Sequence, residues 1–70
     1  MTQVRADVTG SVWKVEVQAG QAVQEGDTLL IVESMKMEIP VCAPSAGVVR
    51  EVWVAEGEAV SDDQVVVVLG

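Results

Sequence analysis

The residue in this chain whose type and surroundings best suit covalent chemistry is Lys36, within the run Glu33-Ser34-Met35-Lys36-Met37. A lysine amine is a nucleophile, so it can carry a covalently attached group. Most surface lysines are only solvated charges, and methionines more often fill gaps in a core. Here one methionine stands on each side of the lysine, at a turn with little depth for packing, so neither of these common roles fits well.

The chain must reverse direction near Lys36, although residues 29–41 contain neither glycine nor asparagine. A two-residue turn formed by Met35 and Lys36 places apolar residues opposite one another on one face, as a buried face requires. The predicted cross-strand pairs are Ser34 with Met37, Val32 with Ile39 and Leu30 with Val41. Lys36 is therefore expected at the exposed tip of a β-hairpin.

This hairpin has two local disadvantages. Tight two-residue turns need φ > 0 at both central positions and usually contain Asn-Gly, so Met35-Lys36 is a poor turn sequence. The same register opposes Glu33 to Glu38, and like charges directly opposite each other are destabilising. A sequence that breaks local rules without structural gain indicates a functional site.

An internal repeat predicts the fold that carries this hairpin. An offset of 37 residues aligns the two halves without a gap, placing Gly10 on Gly47 and Gly20 on Gly57. The apolar strands also align, and strand alternation places Val52 and Val54 inward with Glu51 and Trp53 outward. We predict an all-β fold, a flattened eight-stranded barrel or sandwich of two pseudo-symmetric four-stranded halves. Residues 1–70 form one domain, with the lysine turn at the edge opposite the termini.

Composition excludes several functions. The formal net charge of −7 disfavours nucleic acid and anionic membranes. The absence of histidine removes the usual general base and the commonest metal ligand, so neither a catalytic residue nor a metal site is predicted. Cys42 cannot form an internal disulfide, and we expect it to be a small buried hydrophobe. No signal or membrane-spanning segment is recognised, which favours the cytoplasm.

The run around Lys36 resembles the biotin branch of the biotinyl/lipoyl attachment domain family, which has a Met-Lys-Met core preceded by an acidic residue. The resemblance covers nearly the whole chain. Further matching segments are Gly20-x-x-Val23-x-x-Gly26-Asp27-x-Leu29, Ala43-Pro44-x-Ala46-Gly47-x-Val49 and Gly57-x-x-Val60. In its length and in the run around Lys36, the chain is most similar to small stand-alone biotin/lipoyl attachment proteins.

The resemblance implies a carrier rather than an enzyme. Lys36 would receive biotin through an amide bond made by a biotin protein ligase, and Glu33, Met35 and Met37 would help partners recognise the turn. The other partners implied are the biotin carboxylase and carboxyltransferase components of a carboxylase, served by a monomeric domain. Lipoyl domains usually carry Asp and Ala beside the lysine, so the methionines favour biotin. A lipoyl carrier and a non-carrier interaction module remain the alternatives.

Overall fold

Short strands and tight turns account for the whole chain, as the valine-rich sequence requires, because β-branched side chains favour pleated strands. The computed structural model describes residues 1–70. Its strands are β1 (Thr2–Arg5), β2 (Gly10–Val15), β3 (Ala22–Val23), β4 (Thr28–Ser34), β5 (Met37–Cys42), β6 (Gly47–Val52), β7 (Ala59–Val60) and β8 (Val65–Leu69). The chain contains no helix capable of crossing a membrane.

The strands form two four-stranded sheets whose strand orders are β1-β8-β6-β3 and β5-β4-β2-β7. Every strand pair within them is antiparallel. One hydrophobic cluster joins side chains of both sheets, such as Val67 of the first and Val32 of the second. No polar side chain is buried. The predicted all-β fold of eight strands in two sheets is confirmed.

The internal repeat is visible in the topology, but the two halves of the sequence do not form separate sheets. Adding 37 residues converts β2 into β6 and β3 into β7 with identical bounds. A shift of 37 residues, added to β1 and β3 and subtracted from β8 and β6, converts the order β1-β8-β6-β3 into β5-β4-β2-β7. Each sheet therefore takes two strands from each half. The pair β1–β8, which carries the two termini, is equivalent to the pair β5–β4, which carries the Lys36 turn.

The repeat extends to the turns before β4 and β8. Gly26 and its equivalent Asp63 both have positive φ, at 89° and 71°. The Gly26 N–H donates to the Ala43 carbonyl at 2.9 Å, and the Asp63 N–H donates to the Ala6 carbonyl at 2.7 Å. Aspartate tolerates this left-handed conformation better than most residues do, so the two turns keep one geometry despite the different residue.

The expected burial of Cys42 is wrong, because its side chain is exposed. Successive residues of a strand point to opposite faces, and Val41 occupies the inward position with only 5% of its surface exposed. Cys42 must therefore point outward. Trp53 agrees with its predicted outward position, since it is 52% exposed and its neighbour Val54 is buried.

Candidate attachment site

The hairpin that carries Lys36 has the predicted register. Strands β4 and β5 pair Leu30 with Val41, Val32 with Ile39 and Ser34 with Met37. Met35 and Lys36 form the two-residue turn, with φ values of 52° and 64°. Both lie in the left-handed region that non-glycine residues rarely adopt, so the turn holds a conformation that its own residues do not favour.

The turn presents an apolar surface around the amine. Met35 is 93% exposed and Met37 is 63% exposed, and Lys36 between them is also exposed. Neither of the two ion pairs in the structure, Arg5–Asp63 and Lys14–Glu16, includes Lys36. The amine is therefore accessible, and the two methionine side chains beside it have no core to pack against.

Two carboxylates flank the turn on the hairpin strands. Glu33 and Glu38 are directly paired across the two strands, and both are exposed. High-dielectric solvent weakens their mutual repulsion, although such pairs remain unfavourable. The structure thus brings the predicted recognition residues Glu33, Met35 and Met37 together around Lys36.

Below the turn lies a set of polar contacts that sequence reasoning missed. The Ser34 hydroxyl donates to the Thr9 carbonyl at 2.8 Å. The Asp62 backbone N–H donates to Thr9 Oγ1 at 3.0 Å. These bonds join the hairpin, the β1–β2 loop and the β7–β8 turn. The available signal was a break in the repeat, because an offset of 37 places Thr9 on Ala46, which has no hydroxyl.

A shallow groove lies on the other sheet, away from the lysine turn. Its lining residues are Met1, Gln3, Arg50, Glu51, Trp53 and Val68. The Trp53 indole N–H donates to a Glu51 carboxylate oxygen at 2.6 Å, which fixes the ring at the rim. Because this groove contains no residue of the hairpin, the turn is an exposed projection and not the wall of a cavity.

The strained turn leads to a stability prediction. Replacing Met35 by Asn and Lys36 by Gly installs residues that adopt φ > 0 readily. We expect the double variant to gain about 1 kcal/mol in free energy of unfolding, measured by urea titration with tryptophan fluorescence. The matched control is Met35→Ala with Lys36→Ala, which removes the same side chains but keeps the strain. Equal stability of the two double variants would contradict the prediction.

Comparison with known proteins gives the family of the chain. Residues 1–69 match the family model described as "Biotin-requiring enzyme". The chain is 42% identical over 66 residues to the "Biotin/lipoyl attachment protein" of Bacillus subtilis, covering 94% of this chain and 90% of the relative. It is also 42% identical over 66 residues to the "Biotinylated protein TB7.3 homolog" of Mycobacterium leprae, covering 93% of that protein.

The fold also recurs inside much larger enzymes. The urea carboxylase structure of Kluyveromyces lactis superimposes with a TM-score of 0.94 at 30% identity, over 99% of this chain. The match spans only 6% of that enzyme, so the likeness concerns one domain of it. The family match and the two relatives that align over nearly their whole length show that this chain belongs to the biotin/lipoyl family of biotin-requiring enzymes.

Proposed function

We propose that this protein is a biotin carrier, in which Lys36 bears biotin through an amide bond made by a separate biotin protein ligase. The observation that carries the proposal is the exposed lysine at the hairpin turn, between two exposed methionines. Its family and its full-length relatives support the same cargo, because one relative is named a biotin/lipoyl attachment protein and another a biotinylated protein.

The carried biotin would move a carboxyl group between the active sites of a biotin-dependent carboxylase. Biotin supplies the chemistry, while the protein supplies location and orientation. Tethering raises the effective concentration of the group at each site that it visits. Segments similar to this chain occur in a pyruvate carboxylase of Bacillus subtilis and in a methylmalonyl-CoA decarboxylase subunit of Veillonella parvula. These similarities support a partner of this class.

The arrangement around Lys36 fits a substrate of another enzyme better than a catalyst. Glu33 and Glu38 are exposed, and the flanking methionine side chains project into solvent. We propose that Glu33, Met35 and Met37 form the surface that the ligase recognises. An apolar pocket on the ligase would bury the methionine side chains, and burial of apolar surface would favour the complex.

Intact-mass measurement tests the main proposal. The full chain is coexpressed with a biotin ligase in medium containing biotin, and its mass is compared with that of protein made without the ligase. We expect an increase equal to one biotinyl group. An unchanged mass, despite modification of a known acceptor in the same cells, would refute the proposal.

A lipoyl carrier is the second candidate, favoured by the name of the Bacillus subtilis relative, which includes both groups. The same measurement with a lipoate ligase and lipoate distinguishes it, because lipoyl and biotinyl groups differ in mass. We expect biotin to be the preferred cargo when both ligases and both acids are supplied, since methionines flank the lysine.

Met35 offers a test of the recognition surface. Because this side chain is 93% exposed, Met35→Ala should leave the stability of the domain nearly unchanged. We expect the KM of the ligase for the protein to rise about tenfold, from the apolar contact that is lost in the complex. Trp53→Ala is the control, since it removes a half-exposed apolar side chain that follows β6 and lies away from the hairpin. Equal effects of the two substitutions would contradict a recognition role for Met35.

A further inference from the structure

The lysine turn needs support from outside its own two residues. Met35 and Lys36 occupy consecutive left-handed positions, each of which costs on the order of 1 kcal/mol or more. A conformation of this kind persists only where the surrounding structure holds it. The β4–β5 pairing holds these two strands to each other. It does not hold the residue that begins the turn to the rest of the domain.

That residue is Ser34, the last of β4. The backbone pairing between β2 and β4 ends at the pair Ser11–Glu33. One residue further along, the Ser34 hydroxyl donates to the Thr9 carbonyl at 2.8 Å. A side-chain hydrogen bond thus continues the contact between hairpin and body beyond the last backbone pair.

Thr9 is itself held in place. Its Oγ1 accepts a hydrogen bond from the Asp62 N–H at 3.0 Å, which ties the β1–β2 loop to the β7–β8 turn. We call Ser34, Thr9 and Asp62 the Thr9 brace. The repeat places Ala46, which has no hydroxyl, at the position equivalent to Thr9. The hydrogen bond between Asp62 and Thr9 Oγ1 therefore has no counterpart in the equivalent turn.

We infer that the Thr9 brace is a positioning device, which holds the Met35-Lys36 turn in the conformation that the ligase accepts. The inference rests on the proposed carrier function, and it assigns positioning roles to Ser34 and Thr9. Without the brace the strained turn would populate other conformations. A substrate that is competent only part of the time binds with an apparent dissociation constant raised in proportion, whereas the rate from the bound complex is unchanged.

Steady-state ligase kinetics with the full chain test this role. Ser34→Ala should raise KM about three- to tenfold at constant kcat, the range expected for loss of one neutral hydrogen bond. Thr9→Val removes Oγ1 at similar volume and should act in the same direction. Ser34→Thr keeps a hydroxyl and should restore a near-normal KM. Ser45→Ala is the matched control, because Ser45 is exposed and makes no side-chain hydrogen bond.

The double variant Ser34→Ala, Thr9→Val separates positioning from direct contact with the ligase. Residues of one brace should be coupled, so the double variant should be little worse than the more severe single variant. Effects that multiply, or that appear in kcat alone, would overturn the inference. A Ser34→Ala variant whose KM equals that of the parent protein would also overturn the inference.

A ligase-independent measurement keeps the inference distinct from the proposed function. Amide hydrogen exchange at Met37, which pairs with residue 34 across the turn, should be faster in Ser34→Ala than in Ser45→Ala when followed by NMR, at equal urea midpoints. Unchanged exchange would overturn the brace even if biotin is attached normally. Faster exchange in a protein that no ligase modifies would support the brace as a structural device and reject the carrier function.

Discussion

Lys36→Arg is expected to abolish biotin attachment completely, leaving the intact mass of the variant unmodified after coexpression with a biotin ligase. Arginine keeps the positive charge and the long side chain, but its guanidinium remains protonated and does not act as an amine nucleophile. Because Lys36 is exposed and outside both ion pairs, the fold should be unaffected. The variant should therefore show the urea midpoint of the parent protein.

Lys14 is the matched control for this experiment, as the other lysine of the chain. Its side chain is 56% exposed and lies 3.6 Å from a Glu16 carboxylate oxygen. If exposure alone sufficed, both lysines would be modified. We expect Lys14→Arg to retain full biotinylation. Biotin found on the Lys36→Arg variant, or lost from Lys14→Arg, would reject Lys36 as the attachment site.

Gly10→Ala is expected to lower the free energy of unfolding by about 2–3 kcal/mol, the upper part of the range for overpacking. A Cβ at Gly10 would overlap the Glu33 carbonyl oxygen and touch Val32 Cγ1 at 3.0 Å. Glu33 belongs to the hairpin strand and is paired on both sides, so its backbone cannot move aside cheaply. In a domain of this size each kcal/mol lowers Tm by roughly 4–8 °C.

The repeat provides the control, because Gly47 is equivalent to Gly10. A Cβ there would meet the Gly70 carbonyl oxygen at 3.1 Å. That contact is tight, but a shift of a few tenths of an ångström relieves it, whereas the overlap at Gly10 is much deeper. Gly47→Ala should therefore cost under about 1 kcal/mol. Urea titration followed by tryptophan fluorescence measures both, and equal losses would contradict the close-approach explanation for Gly10.

The geometry of the hairpin is predictable from the sequence because few strand registers place apolar residues opposite one another on the same face. Only the turn at Met35-Lys36 places Val32 opposite Ile39 and Leu30 opposite Val41, and these pairs are the ones observed. A one-residue slip would have turned every apolar side chain to the wrong face. The two left-handed residues then followed from the geometry of two-residue turns.

The parts that escaped prediction depend on neighbours distant in sequence. A repeat identifies equivalent strands but not their partners, so the mixing of both halves in each sheet emerged only from the structure. Thr9 and Ser34 are 25 residues apart, and nothing in the local sequence links them. The prediction for Cys42 is wrong for another reason, since the alternation of β5 places Val41 inward and Cys42 outward and outweighs the general tendency of cysteine to be buried.

The mixed composition of the two sheets has a consequence for how the chain folds. Neither half of the sequence can complete a sheet alone, and the first strand pairs with the last. Folding must therefore close loops that span most of the chain before any sheet is finished, which favours slow, all-or-none folding. Because both sheets contain strands of both halves, neither half can unfold while the other stays folded. Unfolding should therefore involve the whole described chain as one cooperative unit.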